Sequence, residues 1–161
     1  TYVRWPDYHR TNTVTCSRVT TTKPEGNHTM YTLILCLFIA CLLPYLSKIP
    51  VAIAMNKQPG GYDNNHPRAQ QAALTGVGAR AVAAHQNSFE SLIIFVAAIL
   101  TALATQNTTT TVQNLAVLYV VTRVIYHVLY LLNWAMLRST IWMVGLIASL
   151  SIIWLCLPTV S

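Results

Sequence analysis

Apolar residues are gathered into four long runs, and short polar segments separate one run from the next. A bilayer core is crossed by about 20 apolar helical residues, and each run is long enough to do so. The predicted spans cover about residues 31–55, 70–104, 112–137 and 139–157. Short connections favour an up-down-up-down arrangement of consecutive helices. The predicted fold class is therefore all-α, an integral membrane four-helix bundle.

The segment before the first apolar run, residues 1–29, is polar, rich in threonine and without apolar periodicity. This composition predicts a disordered tail. The segment lacks the charged start, apolar centre and small-residue cleavage site of a signal peptide. We expect residues 1–29 to be disordered or not native to the protein, with Met30 as the natural start. The four-span membrane domain is then expected to cover residues 30–161.

Composition indicates that lipid surrounds most of the chain, because 54% of the residues are apolar and only 9% are charged. A soluble domain carries about 25% charged residues. A net charge of +6 would suggest a nucleic-acid partner for a soluble chain. Here the basic residues stand at the ends of apolar runs, where they orient a protein in a membrane. We therefore expect membrane lipid and no nucleic acid as a partner.

Basic residues also predict the orientation of the spans. Lys57 and Arg68 in the first loop and Arg138 at the third connection fall on one side, whereas the loop at 105–111 carries no charge. By the positive-inside rule that side is cytoplasmic. The first loop is predicted to be cytoplasmic, with both ends of the four-span domain on the opposite side. Short loops without eukaryotic sorting signals favour a bacterial inner membrane.

The four cysteines do not suggest a framework of disulfides. Cys36 and Cys41 lie in one apolar run, Cys156 lies in another and Cys16 lies in the polar tail. Buried membrane thiols are a simpler interpretation than a metal or redox site. The sequence contains no CxxC, HExxH, P-loop or GxSxG motif. We therefore predict no bound metal.

Polar and ionisable residues in the second run indicate a functional site, because such groups are costly at membrane depth. At 100° per residue, Arg80, Asn87 and Ser91 fall within a stripe roughly 40° wide, and Glu90 lies beside it. His85 points away from this stripe. We interpret His85 as a packing or interfacial residue.

The third run carries a second polar and aromatic face. Its members, spaced by three and four residues, are Tyr119, Arg123, Tyr126, Tyr130 and Asn133. One interpretation is structural, with Arg123 paired to Glu90 to hold the helices together. The other is a ligand site, because a rise of 1.5 Å per residue puts Asn87 and Tyr130 at nearly equal depth.

The charges predict the kind of ligand that such a site would bind. Arg80 and Arg138 lie nearer the cytoplasmic side than Arg123 and Glu90, at the mouth where an anionic ligand enters, and Arg80 is predicted to be one of the ligand-binding residues. Arginine side chains hold carboxylates with two parallel hydrogen bonds, and a carboxylate can accept from an ammonium group. A zwitterionic peptide with two carboxylates fits this combination.

The chain from Met30 onward resembles the short bacterial branch of the MAPEG family, membrane-associated proteins in eicosanoid and glutathione metabolism. The motifs that carry the resemblance are Tyr62-Asp-Asn-Asn-His-Pro-Arg68, Arg80-x₄-His85-x-Asn87-x₂-Glu90, Arg123-x₂-Tyr126-x₃-Tyr130 and Arg138-Ser139. The resemblance implies a homotrimer with glutathione bound as a co-substrate between neighbouring subunits, near the cytoplasmic side.

The resemblance also implies roles for individual residues. Asn87 and Glu90 match the family positions that hold the polar backbone and amino end of glutathione. Arg123 and Tyr130 match further positions on the third span, and Tyr126 matches a position that lines the site.

Arg138 matches the family arginine that stabilises the glutathione thiolate, with Ser139 beside it, if one residue is deleted between the two motifs. The thiolate is the reactive nucleophile, and a nearby guanidinium increases the fraction present. The implied activity is that of a glutathione-dependent transferase or peroxidase, to which a lipophilic electrophile or hydroperoxide comes through the bilayer.

The second span departs from the pattern of the well-characterised enzymes at Ala79, Ala83 and Gln86, where those enzymes carry charged residues. Fewer guanidinium groups predict weaker glutathione binding. The alternative function is a non-catalytic membrane scaffold or a subunit of a partner complex that retains the fold. A transporter is less favoured, because the chain shows no inverted repeat or broken helix pair.

Overall fold

The computed structural model describes residues 25–157, with side chains from residue 28 onward. All regular structure within this range is helical, and four of the helices are long and apolar enough to cross a membrane. The elements are α1 (Glu25–Asn56), α2 (Pro67–Ala72), α3 (Gly76–Ala104), α4 (Thr110–Leu132) and α5 (Ala135–Leu155). The predicted all-helical membrane protein with four spans is therefore confirmed, whereas the bundle topology and the trimer remain predictions.

Helix α1 begins at Glu25, inside the segment for which the sequence predicts an unstructured tail. Adding a turn to an existing long helix requires little free energy, because only nucleation is costly. The hydroxyl of Thr29 in this turn donates to Thr108 Oγ1 at 3.2 Å, which connects α1 to the loop between α3 and α4. Residues 1–24, and the tail predicted there, lie outside the described residues.

The second predicted span is interrupted near its start. Instead of one helix from about residue 70, the chain forms α2, leaves the helix at Ala73 and begins α3 at Gly76. Gly76 has a φ of +56°, a conformation that is favourable for glycine and costly for residues with a Cβ. Pro67 stands at the first turn of α2, as the sequence predicts.

The connection between the last two helices lies earlier than predicted. Asn133 has a φ of +63°, the Trp134 N–H donates to Leu129 O at 3.1 Å, and the Asn133 N–H donates to Tyr130 O at 3.2 Å. These two bonds form a Schellman motif, which ends α4 and allows α5 to begin at Ala135. Arg138 therefore lies in the first turns of α5 and not in the connection.

The long helices pack mainly as two pairs, α1 with α3 and α4 with α5, and further contacts join α3 to α5 and α4 to both α1 and α3. Phe95 and Tyr119 stack in the core with ring centroids 3.8 Å apart. Many buried positions carry small residues, which allow membrane helices to approach closely; they include Ala40, Ala98, Ala102, Ala116 and Ala148. Large apolar side chains such as Ile93 and Trp154 are instead exposed, as expected for contact with lipid.

The loop after α1 is ordered by one glutamine side chain. Gln70 Nε2 donates to Gly61 O at 2.7 Å, and Gln70 Oε1 accepts from the Asp63 N–H at 3.0 Å. Asp63 Oδ1 in turn accepts from the backbone N–H groups of His66 at 3.0 Å and Asn65 at 2.8 Å. These two bonds lower the pKa of the Asp63 carboxyl below its ordinary value. The loop therefore has a defined conformation next to the start of α2.

Candidate functional site

Two adjoining clefts lie between α3, α4 and α5. The first cleft, of about 70 Å³, is lined by Asn87, Glu90, Ser91, Ile94, Tyr119, Arg123, Trp142, Leu146 and Ser149. The second cleft, of about 200 Å³, is lined by Asn87, Tyr126, Tyr130, Arg138, Ser139 and Trp142. The clefts share Asn87 and Trp142, so they are adjacent. Together they bring together seven of the predicted site residues: Asn87, Glu90, Arg123, Tyr126, Tyr130, Arg138 and Ser139.

Arg123 is the most deeply enclosed charge in the first cleft, and its residue is only 2% exposed. Its Nη2 donates to the carbonyl of Trp142 at 3.2 Å. The guanidinium lies 5.5 Å from the ring centroid of Tyr119 and 5.1 Å from that of Tyr126. Its Nε is buried without an acceptor. A cation held in this way retains hydrogen-bonding capacity for a ligand.

Glu90 does not neutralise Arg123. Among the side chains of residues 28–157 the structure contains one contact within ion-pair distance, between His66 and Asp63 at 3.5 Å, and it lies in the first loop. Glu90 is exposed and accepts a hydrogen bond from Asn87 Nδ2 at 3.1 Å, while Asn87 Oδ1 is buried without a donor. The structural interpretation in which Arg123 and Glu90 hold the helices together is therefore wrong.

The second cleft places Arg138 over an aromatic ring. Its guanidinium lies 4.3 Å from the centroid of Tyr130, and the Tyr130 ring packs edge to face on Tyr126 at 5.5 Å. A cation over a tyrosine face is attracted by the ring quadrupole. The Ser139 hydroxyl donates to Ala135 O at 3.0 Å, within its own helix, and Ser139 is exposed. Arg138 thus stands at a cleft wall with no carboxylate partner among the described residues.

Arg80 lies outside both clefts. Its Nη2 is 3.5 Å from Leu131 O, at the end of α4, and its Nε is buried without an acceptor. The last carbonyls of a helix have no partner within the helix and carry partial negative charge. Arg80 therefore interacts with the C-terminus of α4 and is not among the residues that line the clefts.

Unsatisfied polar atoms are concentrated in the predicted site residues. In the described part of the chain, the buried side-chain nitrogen and oxygen atoms without a hydrogen-bond partner are Arg80 Nε, Asn87 Oδ1 and Arg123 Nε. A buried group left in this state costs about 1–3 kcal/mol. In native proteins each such atom requires an explanation, for example strain, a catalytic role or a bound water or ion. Two of these atoms, on Asn87 and Arg123, belong to the first cleft.

The sequence did not single out the contribution of α5 beyond Ser139. Trp142 lines both clefts and supplies the carbonyl that binds Arg123, and Ser149 lines the first cleft. The spacing of Arg138, Trp142 and Ser149 by four and seven residues puts them on one helix face. That spacing is visible in the sequence, but it does not show which side of α5 faces α3 and α4.

His85 packs away from the clefts, as the sequence predicts. Its Nδ1 lies 2.9 Å from Pro44 O and 3.1 Å from Ser47 Oγ, and its ring packs edge to face on Phe89 at 5.4 Å. Ser47 also donates to Pro44 O at 2.7 Å. These contacts satisfy polar groups of α1 close to a proline inside the helix.

A second histidine joins α3 to α4. His127 Nε2 lies 2.6 Å from Ser88 Oγ, and His127 Nδ1 lies 2.6 Å from Arg123 O. A carbonyl only accepts, so Nδ1 donates to Arg123 O. The Ser88 hydroxyl, which is within hydrogen-bond distance of Nε2, also donates to Ala84 O within α3 at 2.8 Å. The backbone carbonyl of Arg123 is therefore bonded as well as its side chain.

The described residues contain no group of three or more histidine, cysteine, aspartate or glutamate side chains that could hold a metal. Cys36, Cys41 and Cys156 are free thiols, and none lines either cleft. Cys16 lies outside the described residues. The chemistry available in the clefts is therefore that of guanidinium, carboxylate, amide, hydroxyl and aromatic groups.

The family model described as "MAPEG family" matches residues 32–158, a range that contains every residue of both clefts. No curated protein and no solved structure matches the chain significantly. The family includes glutathione-dependent transferases and peroxidases together with non-catalytic members. The match covers most of the chain, and the protein belongs to the MAPEG family.

Proposed function

We propose that the protein is a glutathione-dependent membrane transferase or peroxidase that acts on lipophilic electrophiles. The observation that carries the proposal is the first cleft, where Arg123 Nε and Asn87 Oδ1 are buried without partners beside the exposed carboxylate of Glu90. These groups offer a donor, an acceptor and an anion within one small volume. A zwitterionic peptide with carboxylate, amide and ammonium groups complements all of them.

In this proposal the first cleft binds the peptide part of glutathione. Arg123 donates to a carboxylate, because its guanidinium retains N–H groups after bonding to Trp142. Asn87 Oδ1 accepts from a peptide N–H group, and Glu90 accepts from the ammonium. Tyr126 and Tyr130 line the path from this cleft to Arg138.

In this proposal the reaction takes place in the second cleft. The Arg138 guanidinium stabilises the glutathione thiolate, so that the thiol loses its proton to water more readily. The thiolate sulfur then forms a bond to the electrophilic carbon, and the leaving group departs with its bonding electrons. With a hydroperoxide, the sulfur attacks the terminal oxygen, the alkoxide leaves as the alcohol, and a second glutathione forms the disulfide with release of water. The lipophilic substrate enters from the bilayer.

The proposed assembly is a homotrimer with glutathione between neighbouring subunits. Glu90 supports it, because an exposed carboxylate within a predicted span requires water or protein around it. A neighbouring subunit that covers the clefts would provide those surroundings. We further propose a bacterial inner membrane, with the first loop on the cytoplasmic side.

The test uses the full chain purified in detergent. We expect saturable glutathione binding at millimolar concentration and conjugation of an aromatic halide. Arg138→Ala is expected to lower kcat by about 100-fold, while the glutathione Kd changes by less than about threefold, because the guanidinium acts mainly on the developing charge. Absence of saturable binding contradicts the proposal, and equal losses in binding and turnover assign Arg138 a binding role only.

One observation favours the non-catalytic alternative. Ala79, Ala83 and Gln86 are uncharged where active relatives carry charge, which leaves α3 with few cations next to the clefts. In that case the clefts bind lipid or detergent, and the protein co-purifies with a stoichiometric partner. Turnover of an aromatic halide above that of Arg138→Ala excludes this alternative.

A further inference from the structure

The Arg123 guanidinium bonds to the Trp142 carbonyl in a space that exists because Gly145 of α5 has no side chain. A Cβ atom built at residue 145 lies 2.5 Å from Arg123 Nη2, 3.2 Å from its Cζ and 2.8 Å from Thr122 Oγ1. Separations below 3.0 Å essentially never occur for real Cβ atoms, so a side chain at this position forces a neighbour to move. Gly145 itself is buried in the interior of α5.

The surroundings limit where the guanidinium can move. The rings of Tyr119 and Tyr126 lie close to it, and its residue is only 2% exposed. The remaining free volume is the first cleft, which Arg123 lines together with Asn87. A Cβ at residue 145 therefore breaks the bond to the Trp142 carbonyl or pushes the guanidinium into the volume that a ligand would occupy.

We propose that Gly145 is a positioning residue for anion recognition, because its missing side chain holds the Arg123 guanidinium between the Trp142 carbonyl and the first cleft. This inference rests on the proposed function, since it assigns Arg123 to the carboxylate of glutathione. It differs from a general packing role for a small residue, because the affected contact is with a cation of the site.

The test is a double-mutant cycle on the full chain in detergent, with glutathione Kd and kcat as readouts. Gly145→Ala is expected to raise the Kd about tenfold, the cost of one misplaced charge-assisted hydrogen bond, with kcat at saturating glutathione changed less than about twofold. In an Arg123→Lys background the same substitution is expected to raise Kd less than about twofold, because lysine lacks the atoms that the Cβ would contact.

Two control variants separate positioning from packing. Thr122→Ala removes the other close atom, and it is expected not to restore binding to Gly145→Ala. Gly78→Ala places a Cβ 3.2 Å from Ala54 Cβ and Leu74 Cβ, away from the clefts, and is expected to leave the glutathione Kd unchanged.

The outcomes distinguish the two proposals. An equal rise in Kd in both backgrounds, no rise in Kd, or rescue by Thr122→Ala overturns the inference and leaves the proposed function standing. Absence of glutathione binding by the unsubstituted protein overturns both. If Gly145→Ala does not fold, Arg123→Lys must restore folding; failure to restore it overturns the inference.

Discussion

The guanidinium carbon of Arg138 lies 4.3 Å from the centroid of the Tyr130 ring. The two residues belong to different helices, on either side of the turn at Asn133. This contact orients a cation at the wall of the second cleft without neutralising it, which is the electrostatic condition that thiolate stabilisation requires. The Tyr130 ring therefore positions Arg138, the proposed catalytic arginine.

We expect Tyr130→Leu to lower kcat about tenfold, because it removes a cation–π contact worth about 1–2 kcal/mol in a partly buried site. Tyr130→Phe keeps the ring face and is expected to retain kcat within about twofold. Turnover of an aromatic halide at saturating glutathione provides the measurement. Equal losses in the two variants would show that the hydroxyl, and not the ring, is what matters.

The left-handed backbone conformation of Asn133, with a φ of +63°, is expected to lower the free energy of unfolding, because residues with a Cβ disfavour it. Asn133→Gly is expected to raise the free energy of unfolding by up to about 1 kcal/mol, and Asn133→Ala to lower it by a similar amount. Thermal unfolding in detergent measures both changes.

Gln106 provides the comparison, with a φ of +57° at the end of α3. Asparagine tolerates this region better than glutamine, so Gln106→Gly is expected to stabilise the protein more than Asn133→Gly does. A destabilising effect of both glycine substitutions would contradict the backbone argument.

Ser88 is expected to stabilise the contact between α3 and α4, because its hydroxyl is buried and lies 2.6 Å from His127 Nε2. Hydrogen bonds between membrane helices contribute about 0.6 kcal/mol on average and up to about 1.7 kcal/mol. Ser88→Ala is expected to lower the free energy of unfolding by about 1 kcal/mol, measured by thermal or denaturant unfolding in detergent.

The matched control is Ser149→Ala. Ser149 is equally buried, but its hydroxyl donates to Gly145 O within α5, at 3.1 Å. A bond within one helix does not connect two elements, so the loss is expected to be smaller. A larger loss for Ser149→Ala than for Ser88→Ala would contradict the interhelical role.

The first loop is expected to loosen in acid. Backbone N–H groups of His66 and Asn65 lower the pKa of Asp63 below its ordinary value near 3.8. A lowered carboxylate pKa contributes to the ordered loop above the unfolded pKa, and the contribution is lost as pH falls through the folded pKa. The order of the loop is therefore expected to be constant above about pH 5 and to decrease below about pH 4.

Amide hydrogen exchange of residues 58–66 between pH 3 and pH 6, corrected for intrinsic rates, measures this effect. Asp63→Asn removes the titrating group but retains an oxygen acceptor, and it is expected to abolish the pH dependence. A pH dependence that persists in Asp63→Asn would assign the effect to another group.

Much of the protein is determined locally by its sequence. Four apolar runs of sufficient length predict four spans because bilayer thickness sets the length of a helix. The spacing of Asn87 and Glu90, and of Arg123, Tyr126 and Tyr130, predicts shared faces because helical periodicity is a local property. The polar and aromatic residues that α3 and α4 contribute to the clefts, and the family, are therefore recognisable from the amino-acid sequence alone.

Other features depend on how the helices rotate and pack against one another. The sequence allowed Arg123 to pair with Glu90, yet Arg123 bonds to Trp142 and Glu90 to Asn87. Arg80 shares a stripe with Asn87 but interacts with the end of α4, because one stripe on a long helix passes several neighbours.

The turn at Asn133 and the space beside Gly145 also depend on the tertiary structure. Neither residue has a neighbouring proline or an unusual local pattern that marks its role. Asn133 ends a helix through bonds made by its backbone in a left-handed conformation, and Gly145 matters because the guanidinium of another helix occupies the position of its missing Cβ. Sequence periodicity thus determined which residues share a helix face, while interhelical contacts decided which parts of those faces line the clefts and which polar atoms are left without a partner.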